Sequence, residues 1–161
     1  MFRRLRPLLT LALLAATAVA LTACNKTVKR VSPPAASVQQ LTVQADGSWT
    51  LALRLQNFSS MPMTFDNVNL QMQVGDQDAG TLAASPGISI GGVSADVINV
   101  QLTPSSAARI VVADALAGNR TLSYSLKGTV AATPEEKKQR SFDITGRSTL
   151  NQAPGLPGVL R

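Results

Sequence analysis

The sequence contains no histidine and a single cysteine. Without imidazole, the usual general base is missing, and so are the Ser-His-Asp and Cys-His nucleophile pairs. A lone thiol excludes an intramolecular disulfide, and no Cys/His cluster exists to hold structural zinc. Aromatic residues make up only 4% of the 161 positions, which argues against base-stacking platforms for nucleic acid. With 45% apolar and 15% charged residues, the chain is neither disordered nor a coiled coil in composition. Its length fits one modest domain.

What is present begins with Arg3, Arg4 and Arg6, followed by an apolar run from Leu8 to Val19. That run is too short to cross a hydrocarbon core of about 30 Å as a helix. A basic start, a short apolar middle and small residues after it describe a secretory signal peptide. Leu21-Thr22-Ala23-Cys24 then resembles a bacterial lipobox. The resemblance implies cleavage before Cys24, transfer of diacylglycerol to its thiol and acylation (commonly palmitate) of the new amino terminus. Residues 1–23 are therefore expected to be a lipoprotein signal peptide, with the acyl chains on Cys24 making the membrane a partner. An ordinary signal peptide is the plainer alternative. Twin-arginine export fits Phe2 and Leu5 poorly.

The formal net charge of +6 includes the three arginines ahead of Cys24, so half of it leaves with the leader. Lys26, Lys29 and Arg30 follow the lipid site. They read as a solvated tether or, more sharply, as contacts to anionic headgroups at about 1 kcal/mol each. Asn25 after the cysteine, by analogy with enterobacterial sorting, favours the outer membrane, facing the periplasm, over the inner membrane. Pro33-Pro34 and the lack of apolar periodicity mark residues 24–36 as a lipidated tether.

Beyond Ser37, short apolar runs are separated by turn residues every ten or so positions, the signature of a sandwich or barrel. Trp49, Leu51, Leu53 and Leu55 alternate with polar or small residues, as in a half-buried antiparallel strand. Asp46-Gly47 predicts a hairpin pairing it with residues 41–44. Val68, Leu70, Met72 and Val74 share one face of a third strand, and Phe65 on the other parity predicts a bulge near Asp66-Asn67. Further strands are expected around residues 79–83, 94–102, 122–130 and 142–144. One helix is expected after Thr103 as cap and Pro104 as first residue, ending at a left-handed Gly118. Its stripe would be Ala108, Val111, Val112, Ala115 and Leu116, although Ile110-Val111-Val112 also suits a strand. About seven strands and one helix result, with residues 37–150 as the domain and 151–161 as a flexible tail.

No catalytic constellation emerges, and the chain is read as not an enzyme. Asp76 and Asp78 are spaced like the start of a calcium loop whose other ligands are missing, so a turn explains them better and no metal or cofactor is expected. Glu135 and Glu136 are adjacent and would point to opposite faces of a strand, poor geometry for an acid/base pair. Together with Lys137 and Lys138 they read as a solvated hairpin tip. Gly91-Gly92 lacks a phosphate-loop or dinucleotide-binding context. Met61 and Met63, flanking Pro62 beside Phe58, suit either ordinary packing or an adaptable apolar rim.

The stretch from Leu55 to Leu102 resembles the late embryogenesis abundant (LEA) type 2 family, whose module is also called the water stress and hypersensitive response domain. Residues 51–57 match its apolar strand ending in Asn, with Asn57 as the first Asn of Asn-Pro-Asn. Pro62-Met63 matches its Pro-apolar pair, Gly80 the glycine of its small strand, and residues 96–102 a later strand. Phe58 stands where the family has Pro and Ser59 where it has the second Asn. The resemblance implies an all-β, seven-stranded antiparallel β-sandwich of immunoglobulin or fibronectin type with one short helix. It also implies a non-enzymatic role in desiccation and stress tolerance. Asn57 would hydrogen-bond nearby backbone as a structural element. Some relatives are thought to bind lipid or another hydrophobic ligand between their sheets, which here would lie against Val68, Leu70, Leu122 and Leu126.

Overall fold

Alternating apolar residues build nine strands and one helix into residues 29–161, the part of the chain that the computed structural model describes. The strands are β1 (Ala35–Val43), β2 (Trp49–Asn57), β3 (Met63–Val74), β4 (Gln77–Ala84), β5 (Ile88–Ile90), β6 (Ser94–Leu102), β7 (Leu122–Pro134), β8 (Arg140–Leu150) and β9 (Val159–Leu160). They form two antiparallel sheets, in the orders β6-β2-β1-β9 and β4-β3-β7-β8, with β5 also paired to β3. The inward residues of both sheets share one core, in which Leu41, Leu51, Leu53, Leu55, Phe65, Leu70, Met72 and Leu82 are completely buried. Each such side chain stabilises the fold by about 1.5–3 kcal/mol relative to exposure. The fold is all-β, and its strands number nine where seven were expected.

The two extra strands have definite causes. Pro86 and Gly87 interrupt the edge beside β3, so β4 pairs Val68–Val74 while the three-residue β5 pairs Met63–Phe65. The bulge expected near Asp66-Asn67 separates these two halves of β3. The second extra strand, β9, lies in residues expected to be a flexible tail. Val159 and Leu160 pair with Thr42 and Leu41, and Ala153, Val159 and Leu160 are buried. Their apolar side chains anchor a segment whose Pro and Gly content hides any strand pattern. At the other terminus, β1 begins at Ala35 and Pro34 is already buried, inside the stretch read as tether.

The Asp46-Gly47 hairpin joins β1 and β2 as expected, with Gly47 at φ +81° and the Asp46 carboxylate accepting both the N–H (2.9 Å) and the hydroxyl (2.6 Å) of Ser48. These two bonds hold the Asp46 carboxyl below its ordinary range. Helix α1 (Ser106–Ala117) buries Ala108, Val112 and Ala115. Its cap is Ser105, not Thr103: the Ser105 hydroxyl accepts from the Ala108 N–H at 3.2 Å and donates to the Asp78 carbonyl at 2.6 Å. The terminus also differs, because Gly118 has φ −88° and the left-handed residue is Asn119, at φ +48°.

One side chain ties the two sheets together, and one glycine sets the approach of two strands within the larger sheet. The Tyr124 hydroxyl on β7 accepts the Val38 N–H (3.0 Å) and donates to the Val38 carbonyl (3.3 Å), on the margin of β1 that the short β9 does not reach. Gly128 packs so tightly on β3 that a Cβ there would lie 2.2 Å from the Asn69 carbonyl oxygen.

Candidate functional site

The alternation that turns Trp49, Leu51, Leu53 and Leu55 inward carries Asn57 inward as well, where it is fully buried at the end of β2. Here the chain crosses from one sheet to the other at residues 58–62. The return crossing, residues 91–93 between β5 and β6, lies alongside. The Asn57 side-chain amide ties the two crossings together. It donates to the carbonyls of Met61 (2.9 Å), Ile90 (3.0 Å) and Gly91 (3.0 Å), while its oxygen accepts the Ser59 N–H at 2.8 Å. The Val93 N–H donates to the Ser59 carbonyl at 2.9 Å. Gly92 fits because it has no side chain: a Cβ would stand 2.8 Å from the Ser60 carbonyl carbon.

The segment leading in from the N-terminal side is sewn to the same crossing. The Ser59 hydroxyl, buried, accepts the Ser32 N–H at 2.9 Å, and its proton can go to Met63 Sδ (3.0 Å) or the Ser32 carbonyl (3.2 Å). The Arg30 N–H donates to Ser60 Oγ (2.8 Å), and the Ser60 N–H returns a bond to the Arg30 carbonyl at 3.0 Å. Lys29 Nζ meets Glu136 Oε2 at 2.6 Å on the β7–β8 hairpin tip. That contact raises the Lys29 pKa and lowers that of Glu136, chiefly through the hydrogen bond between them. The tip is held in turn by the Glu135 N–H, which donates to the Pro62 carbonyl at 3.0 Å. Residues 29–32 are thus a strap, not a free tether.

The sequence-derived residues therefore divide. Asn57 and Pro62 meet in this knot, whereas Gly80 lies in β4 near the other end of the sandwich. There, with φ +128°, a Cβ would approach the Leu102 side chain to 3.0 Å. Cys24 lies outside the described residues. Met61 and Met63 are buried packing residues. Val68, Leu70, Leu122 and Leu126 do share the inward face of the larger sheet, but each is at most 2% exposed. All four belong to the buried core that the two sheets share, and Leu126 also borders a groove on the larger sheet. Ser32, Ser59 and Gly92 complete the knot, a role that no local pattern in the sequence marks. The inward parity of Asn57 was the available signal that a polar residue there must find backbone partners.

Several hollows mark the surface, among them one on the larger sheet and one beside α1. The outer face of the larger sheet carries a groove of about 420 Å³ lined by Gln71, Gln73, Lys127, Thr145 and Arg147, among others. An apolar cleft of about 180 Å³ lies between α1 and the first hairpin, against Val43, Trp49, Val112 and Leu116. Neither lining pairs a nucleophile with a base. Among the described residues, no group of three or more His, Cys, Asp or Glu side chains could hold a metal ion, and no helix is long and apolar enough to cross a membrane.

No protein-family model and no curated protein matches the chain. Among solved structures, the solution structure of a protein from Arabidopsis thaliana superposes on 81% of this chain and 89% of its own. The identity is 11% and the TM-score 0.57. A crystal structure of a protein from Archaeoglobus fulgidus covers 77% of this chain and 98% of its own at 10% identity, with a TM-score of 0.43. At such identities the Arabidopsis likeness shows a shared fold only.

Proposed function

We propose that this is a lipid-anchored, non-catalytic cell-envelope protein whose domain is an immunoglobulin- or fibronectin-like sandwich of the LEA type 2 kind. Its role is to protect the envelope or bind there under stress. The observation that carries the reading is Cys24, the only cysteine of the chain, placed behind a basic, apolar leader at the lipobox position. The LEA assignment rests on the partial Asn57–Pro62 motif and strand order, and the Asn57 knot supports it by giving that Asn a structural task. Asn25 favours the outer membrane. Mass spectrometry of protein extracted from the envelope tests the anchor. Cys24 is expected to be the amino-terminal residue, carrying diacylglycerol and a further acyl group, and Cys24→Ala is expected to leave the membrane fraction. Survival of a deletion strain after drying tests the stress role; survival equal to the parent would sink it. A carrier for lipid between the sheets is the second reading. The packed face at Val68, Leu70, Leu122 and Leu126 counts against it, and the absence of co-purifying lipid in native mass spectrometry is the expected result.

A further inference from the structure

Residue 29 is where the strap meets the domain, and the five residue steps from Cys24 to Lys29 span at most roughly 18 Å even fully extended. If Cys24 is anchored, the end of the sandwich bearing residues 58–62, 91–93 and 135–139 stays within that distance of the bilayer. A flexible linker would leave the domain free to turn over. The strap limits that freedom, because it is bound at Lys29, Arg30 and Ser32 to the crossing loop and the hairpin tip and so fixes the exit point at this end.

The surface of that end is unlike a solvated loop cluster. Phe58 is 46% exposed and Val93 is 73% exposed, on the two crossings that the Val93–Ser59 backbone bond joins. Val93 takes φ +52°, a costly conformation for a β-branched residue, at the tip of a turn that leaves its side chain outside the core. Phe58 keeps nearly half of its surface in solvent and Val93 most of it. In the strap and hairpin tip, Lys29, Arg30, Lys137 and Lys138 outnumber Glu135 and Glu136, and Lys26 precedes them in the chain. Exposed apolar side chains on an end of the sandwich that also carries a surplus of cations, held close to a lipid anchor, match an anionic bilayer surface.

We infer that the Phe58–Val93 end is a membrane-contacting surface. The anchored protein stands with these two side chains in the headgroup region and α1 directed away from the bilayer. This rests on the lipid anchor proposed above, and the test separates the two. A chain beginning at Cys24 keeps the whole described domain. It is coupled through its thiol to maleimide lipid in vesicles of phosphatidylethanolamine and phosphatidylglycerol containing brominated acyl chains. Phe58→Trp, Val93→Trp and Ile110→Trp are compared, with Trp49, buried at the opposite end, as internal reference. The bromines are expected to quench the added emission of the Phe58→Trp and Val93→Trp variants by roughly half, as for side chains seated at the interface. The emission of Ile110→Trp is expected to stay unchanged. Equal quenching in all three variants, or none in the first two, overturns the inference. So does a photocrosslinker at position 58 that captures an envelope protein while the bromines have no effect. An unmodified Cys24 thiol in protein from cells would instead overturn the anchor, which the synthetic coupling bypasses.

Discussion

Asn57 has two amide protons and three carbonyl partners, so one proton is shared and no other side chain of similar size reproduces the set. Asn57→Ala leaves buried carbonyls and the Ser59 N–H unpaired, and a loss of about 2–4 kcal/mol is expected in urea unfolding. Asn57→Asp should be at least as damaging at neutral pH, because a carboxylate would face three carbonyl oxygens with no proton to give. An aspartate variant as stable as the parent would show that the knot is not what holds the crossings. At Gly128 the reason is space: a Cβ 2.2 Å from the Asn69 oxygen forces β3 and β7 apart. Gly128→Ala is expected to lower stability by about 3 kcal/mol, read from the same unfolding curves.

At the scale of elements, β9 and the strap show how segments without a strand pattern become ordered. Leu160 is fully buried and pairs with Leu41, so truncation after Leu150 removes that burial and uncovers Leu41. The expected cost is on the order of 3 kcal/mol, visible as a lower urea midpoint. The strap is more weakly held. Its Lys29–Glu136 pair is exposed and open to screening by salt. Because the Glu136 pKa is lowered, its contribution is present above the ordinary value of 4.5 and fades as pH falls through the lowered one. Because the Lys29 pKa is raised, the contribution is full below 10.5 and fades as pH rises through the raised value. Across the neutral range, therefore, Glu136→Gln should reduce amide exchange protection at Ser60 and leave the central strand β2 unaffected. Added salt should act in the same direction.

For the molecule as a whole, stability comes from one hydrophobic core shared by two sheets, with no disulfide and, among the described residues, no metal-ligand cluster. Reductant and chelator are accordingly expected to move the thermal midpoint by less than about 1 °C, measured by circular dichroism. A large shift with either would reveal a cross-link or an ion that this architecture does not require.

Seven of the strands are legible in the linear chain, because two-residue apolar alternation is written locally. So are the bulge in β3 and the stripe of α1, since parity and helical spacing are local too. The short β5, the docked β9, the strap at residues 29–32, and the meeting of Asn57, Ser59 and Gly92 across two crossings arise only in three dimensions. Those features depend on contacts between residues about 30 to 120 positions apart, and no periodicity within a segment encodes which distant backbone will need a partner.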